Sequence, residues 1–190
     1  LGGVLGAALI GALAGLATAL GGRVVAGLVR RLEDAFLAIP RVLLVMALAA
    51  VVQPTAAGLA VLLAATGWPA LGRLVRGDLR GLAASEISAA ARAAGATRWR
   101  LAWRHLLPHA AVTLLVAAGL RVGPFVLLEA SLSFLGFGVP PPHPSWGNIL
   151  AEGRDVLFEA WWVTALPGAL LAATVLLANA AADRFRQAIG

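Results

Sequence analysis

The sequence predicts an all-α protein whose helices cross a lipid bilayer several times, and three observations carry that prediction. Hydrophobic residues make up 61% of the 190 positions and charged residues only 13%, with a mean hydropathy of +0.89; soluble domains are typically about 25% charged. The apolar residues gather into stretches of membrane-crossing length, since a bilayer core ~30 Å thick needs ~20 residues of helix at ~1.5 Å rise each. The arginines then fall almost wholly on one side of the topology that these stretches define.

The first span runs from Leu1 to Gly22, with Gly2, Gly6, Gly11 and Gly15 interleaved among Leu and Ala. Small residues at such spacings let helices approach closely in lipid, so this span is expected to pack against others. Arg23 to Asp34 reads as a short polar link, and Ala35 to Val52 as a second span that Pro40, beside Arg41, is expected to kink. Gln53-Pro54-Thr55 forms a tight turn into a third span, Ala56 to Leu71, closing at Gly67-Trp68-Pro69 with an interfacial Trp, so that the second and third spans make a hairpin.

Gly72 to His105 is the longest polar segment, with Arg73, Arg76, Arg80, Arg92, Arg98, Arg100 and Arg104 against Asp78 and Glu86. Inside it, Ser85 to Ala94 reads as a helix of strong formers that Gly95 ends. The fourth span, Leu106 to Leu128, contains Pro108, Arg121 and Pro124; a loop rich in Gly, Pro and Trp follows from Glu129 to Ala160; Trp161 to Ala182 is the fifth span and Asp183 to Gly190 a polar tail.

Lys and Arg near span ends stay on the cytoplasmic side. Five spans place the 23–34 link, the 72–105 segment and the tail together, with three, seven and two arginines, against Arg154 alone in the turn and loop of the opposite face. This placement accounts for the net charge of +6 and the pI near 11.7 through topology and anionic lipid, and no nucleic-acid partner is expected. The chain has no Cys, which excludes disulfides and thiol metal sites. It has no Lys and hence no GxxxxGK[ST] loop, so any ATP must be bound and hydrolysed on another polypeptide. The chain opens at Leu1 without the charged n-region or cleavage site of a signal peptide.

Two stretches carry a family resemblance. Glu86-Ile87-Ser88-Ala89-Ala90-Ala91-Arg92-Ala93-Ala94-Gly95-Ala96-Thr97, continuing Arg98-Trp99-Arg100-Leu101 to Leu107-Pro108, resembles the coupling loop of ABC importer permeases, which reads EAA, then Gly, then a hydrophobic residue near LP. Glu129-Ala130-Ser131-Leu132-Ser133-Phe134-Leu135-Gly136-Phe137-Gly138-Val139-Pro140 and the following Pro-rich run through Trp146-Gly147-Asn148 are similar to the dipeptide, oligopeptide and nickel branch of that family. The family's EAA glutamate falls at Ala89, and Glu86, one turn earlier, stands as its substitute.

The resemblance covers nearly the whole chain and implies a single type I permease domain over residues 1–190, with 72–105 as cytoplasmic coupling loop and 129–160 as extracytoplasmic loop. Members usually have six spans, so one would precede Leu1. It implies an ATP-driven importer of peptides, or of nickel and related small solutes, in a bacterial or archaeal cytoplasmic membrane. This chain would then pair with a homologous second permease, two ABC ATPases and an extracytoplasmic substrate-binding protein, holding no cofactor and catalysing no reaction itself. The residues implied in ATPase coupling are Glu86, Ala90, Ala91, Arg92, Gly95, Ala96, Leu101, Leu107 and Pro108.

Arg121, Glu129 and Ser131 are the candidates for the translocation pathway. A charge inside a span costs ~2.5–3.5 kcal/mol on insertion scales, so Arg121 must face a cavity or a partner, or else snorkel. Glu129 at the span end has the plainer reading of an interfacial carboxylate. His105 and His109 stand four apart on one helix, but with no Cys or carboxylate near them they read as interfacial residues, not metal ligands. Glu152 and Asp155 beside Arg154 read as surface charges or docking contacts, not an acid–base pair. A passive channel also explains apolar spans with internal Pro and Arg but not the Ala-Ala-Arg-Ala-Ala-Gly knob, and a noncatalytic membrane scaffold, a decayed permease, is the second alternative that Ala89 and the absent first span allow.

Overall fold

With no water available inside a bilayer to pair backbone groups, a membrane chain closes its hydrogen bonds within helices. The computed structural model describes residues 1–53, 55–101, 104, 107–140 and 142–189, and all regular structure among them is helical. The helices are α1 (Gly2–Leu20), α2 (Gly22–Ala38), α3 (Arg41–Val52), α4 (Ala56–Ala84), α5 (Glu86–Ala93), α6 (Arg98–Leu101), α7 (Leu107–Phe134), α8 (Trp146–Gly153) and α9 (Trp162–Ile189). Four of them, over Gly2–Ala19, Ala56–Ala84, Ala110–Phe134 and Trp162–Ala188, are long and apolar enough to cross a membrane, and α2 with α3 supplies a fifth if the bent pair counts as one span.

The expected second span is corrected. Ala35 to Val52 is not one kinked helix: α2 and α3 meet at 88°. Pro40 offers no N–H and forces its predecessor out of the α region, so Ile39 is extended at φ −103, ψ 132 and α2 stops at Ala38. The polar link Arg23 to Asp34 is itself helical, an amphipathic α2 that buries Ala26 and Glu33. α4 also runs on past Leu71 to Ala84 with Pro69 inside it, so the first part of the 72–105 segment extends a membrane helix rather than forming a loop.

α1 and α4 pack in parallel along most of their length, as the glycine pattern of α1 predicts. A Cβ on Gly6 would lie 2.7 Å from Ala64, one on Gly11 2.9 Å from Leu71, and one on Gly15 2.5 Å from Val75. Backbones this close gain dispersion contacts that larger residues would forbid. Gly2 takes little part and its neighbour Gly3 replaces it, meeting Ala60 and Leu63 at 3.2 Å. α7 and α9 run antiparallel, with Gly119 against Ala182 and Gly123 against Val175. The main core joins α1, α3, α4 and α7 around Val4, Val45, Leu59, Leu71, Phe125 and Leu132. Large apolar residues such as Leu5, Leu9, Leu13, Leu166, Leu170 and Leu177 stay exposed, as lipid or partner contact requires.

Candidate functional site

At the arginine-rich end α4 hands the chain to α5 through Ser85, whose extended backbone (ψ 158) breaks the helix. The freed carbonyls of α4 find three side-chain donors. Ser85 Oγ and Ser88 Oγ donate to the Leu82 carbonyl at 2.7 and 2.6 Å, and Arg92 Nη1 donates to that of Ala83 at 2.9 Å. Ser85 also caps α5, accepting from the Ser88 N–H. α5 ends in a Schellman motif: Gly95 takes φ +82, its N–H donates to Arg92 at 2.9 Å, and the Ala96 N–H donates to Ala91 at 3.0 Å. Thr97 then starts α6, with the Leu101 N–H donating to its carbonyl at 2.9 Å.

These bonds make a compact knob with distinct faces. Leu101 is buried with Val75, Leu79 and Ala110, and Ala91 packs beside that cluster. Ser88 is buried as well. Glu86, Ala89, Ala90 and Ala93, at helical spacing, form one exposed face of α5, with Arg92, Ala94 and Gly95 exposed beside it. Of the coupling candidates, Glu86, Ala90, Arg92, Gly95 and Pro108 face outward, Ala91, Ala96 and Leu107 are half-buried, and Leu101 points inward. Arg92 is committed to α4, while Glu86 sits in the first turn of α5, where the helix dipole favours an anion.

Two ion pairs brace this end, and neither was read from the sequence. Arg76 Nη1 donates to Glu33 Oε2 inside the protein, where Glu33 is fully buried and Arg76 8% exposed. On the surface Arg73 Nη2 meets Asp34 Oδ1 at 2.8 Å. Consecutive acids on α2 thus grip arginines one turn apart on α4. Their partners lie 43 and 39 residues away in sequence, so no local pattern announces them.

At the opposite end, the loop expected from Glu129 to Ala160 begins inside α7 and contains α8. Gly138 and Gly147 sit where a Cβ would strike Ser133 and the Ala130 carbonyl, so α8 lies directly on the end of α7. Ser145 caps α8 through the Asn148 N–H at 3.1 Å, and Asn148 Nδ2 donates to the Val139 carbonyl at 2.9 Å. Glu129 joins this cap, its Oε1 accepting from Ser133 Oγ at 2.8 Å, and it also lines a cleft of about 750 Å³ with Leu59, Phe125 and Trp146.

The three pathway candidates are therefore separated. Arg121 is exposed on α7, Glu129 is half-buried in the cap, and Ser131 donates to the Leu127 carbonyl at 2.8 Å. No ion pair among the described residues includes Arg121. His105 lies outside the described residues, as does the side chain of His109; among the described residues no three His, Cys, Asp or Glu gather as a metal site.

Comparison with known proteins matches residues 7–190 to the family described as binding-protein-dependent transport system inner membrane component. The chain belongs to this family. It is 37% identical over 182 residues to a putative peptide transport system permease protein of Brucella suis biovar 1, covering 96% of this chain and 61% of that protein. A putative peptide permease protein of Brucella ovis is 39% identical over 181 residues, covering 94% and 60% respectively. The di/tripeptide transport system permease protein DppC of Pseudomonas aeruginosa is 37% identical over 181 residues, covering 95% and 58%. The chain thus spans about 60% of the length of these relatives. Family and apolar helices agree on a multi-pass membrane protein of the ABC type I permease fold.

Proposed function

We propose that this chain is a permease subunit of an ATP-driven importer that carries peptides across a cytoplasmic membrane. The observation that carries the reading is the knob: a short helix rigidly joined to the end of α4, closed by a Schellman turn, and presenting an exposed alanine face that none of the described residues covers. Small side chains let such a helix seat in a cleft of a partner ATPase, and α4 is the lever it moves. Because α4 also carries α1 on its glycine-lined side and α2 through the ion pairs, displacement of α5 moves three helices together.

The relatives named as peptide permeases support peptides as cargo; nickel and related small solutes are the alternative cargo that the sequence resemblance implies. A homologous second permease would complete the pathway, two ATPases would occupy the knobs, and a substrate-binding protein would deliver cargo to the face formed by α8 and its flanking loops. ATP is bound by the ATPases, and this subunit holds no cofactor.

The test is uptake of a labelled dipeptide into proteoliposomes holding the full-length chain with its partner permease, ATPases and binding protein. Uptake that requires ATP and the binding protein is the expected result. Flux that runs down the gradient without ATP would identify a passive channel instead.

A further inference from the structure

Arg41 stands at the start of α3 and Arg121 inside α7, and the fold brings both beside Phe125. Arg41 opens α3 and reaches into the bundle, where its Nη2 donates to the Leu63 carbonyl of α4 at 2.9 Å and its guanidinium lies over the Phe125 ring of α7 at 3.9 Å. Room for this stack is made by Gly67, since a Cβ there would strike both the Phe125 ring and, at 2.7 Å, Arg41 Nη2. Arg121 stands one helical turn before Phe125 on α7. Depth follows from two helices independently. Leu63 and Gly67 lie about 10–17 Å along α4 from its start at Ala56, and Arg121 and Phe125 straddle the middle of the Ala110–Phe134 span, so both helices place the pair within the membrane-crossing stretch.

Two like charges there attract an anion, and no ion pair among the described residues includes either of them. Glu33 and Asp34 are engaged by Arg76 and Arg73. Glu129 lies eight residues beyond Arg121, about 12 Å along α7, and is bonded to Ser133. Arg41 Nε is buried without an acceptor, and Arg121 is exposed on the outside of the fold beside Pro124. An ionised group in a span faces a water-filled cavity or a partner and marks a transport route when it does, and guanidinium forks suit carboxylates above other anions.

We propose that Arg41 and Arg121, both beside Phe125, form a subsite within the membrane-crossing helices that takes the carboxylate of a peptide in transit. Arg121 makes first contact from the exposed side and Arg41 receives the charge behind it, with Gly67 and Leu63 holding Arg41 in place. The inference rests on the permease reading for its ligand, while the placing of both arginines beside Phe125 is a property of this chain.

Two measurements test it on the assembled full-length transporter. In proteoliposomes, uptake of dialanine is compared with uptake of its C-terminal amide. Arg121→Gln should lower uptake of the acid about tenfold, the equivalent of roughly 1.4 kcal/mol of a lost charge-assisted bond. Uptake of the amide should change less than about twofold on the same scale, and Arg121→Lys should keep most of the preference. The binding protein is common to all samples, so its own preference cancels from the ratio. An equal fall for both peptides, or no fall for either, would overturn the proposal.

The second measurement needs no transport. A single Cys at Pro124, with these 190 residues otherwise free of Cys and any Cys elsewhere in the full-length protein replaced by Ser, is titrated with anionic and cationic thiosulfonates, with Ser131→Cys, about 15 Å from Arg121 along α7, as the distant control. Faster reaction of the anionic reagent at 124 alone, lost in Arg121→Gln, is the expected result. Equal rates at 124, or no reaction, would show a site sealed or neutralised by a carboxylate of the second permease and would overturn the proposal. If the charge preference holds while the wild type takes up neither peptide, the peptide reading fails and the peptide as occupant with it, the anion site itself standing.

Discussion

In the knob after α4 and in the cap after α7, a long helix gives way to a short one begun by a serine N-cap, Ser85 or Ser145, and a glycine of positive φ turns the chain, Gly95 or Gly136. The two differ in where the short helix spends its surface. α8 is pressed onto α7 at Gly147 and onto α9 at Gly153, so its close-packing positions are used within the chain. α5 is tied down at Ser88 and Arg92 and leaves Glu86, Ala89, Ala90 and Ala93 uncovered. A segment that is rigid at its root and bare on one face is suited to pushing against a second protein; one that is bare nowhere along its packed side is suited to closing an end.

The supporting forces differ too, and substitution should separate them. Glu33→Ala removes the partner of a buried guanidinium beneath the knob, a change that typically costs about 3–5 kcal/mol. It should give the largest fall in thermal stability of the purified full-length protein in detergent. Gly147→Ala forces a methyl into the Ala130 carbonyl and should cost about 1–3 kcal/mol by overpacking, read in the same assay, while leaving ATPase contact at the knob unchanged. Gly95→Ala places a Cβ in a left-handed conformation at roughly 1–2 kcal/mol, and because space around it is open, its effect should appear as lost coupling more than lost stability. Asp34→Asn breaks only the exposed pair with Arg73 and should shift stability by at most about 1 kcal/mol, and by less in high salt. If Gly147→Ala impaired coupling as much as Gly95→Ala, the division between knob and cap would not hold.

What the sequence made legible follows from how local each cause is. The spans stand out because lipid demands about 20 apolar residues in a row. The glycines of α1 announce close packing because their spacing lies within one helix. The α5 helix and its Gly95 stop are equally local and agree with the structure to within a residue at either end. α2 was hidden by its composition: five charged residues between Arg23 and Asp34 read as a link, although Ala26 and Glu33, seven apart, already shared a face. The break at Pro40 was visible, but not that it turns the chain by 88°. The grip of Glu33 on Arg76, the stacking of Arg41 on Phe125 and the seating of Gly147 on Ala130 all join residues distant in sequence, which only the packed bundle brings together.

The central claim is that the bare face of α5 is where an ATPase pushes. Ala90 is exposed at the middle of that face, and the chain has no native Cys. A single Cys at Ala90 paired with one in the ATPase cleft, in membranes holding the complete transporter, measures the contact directly. The account predicts a crosslink whose yield changes when ATP is bound, whereas no crosslink at all, with both proteins folded and assembled, would contradict it.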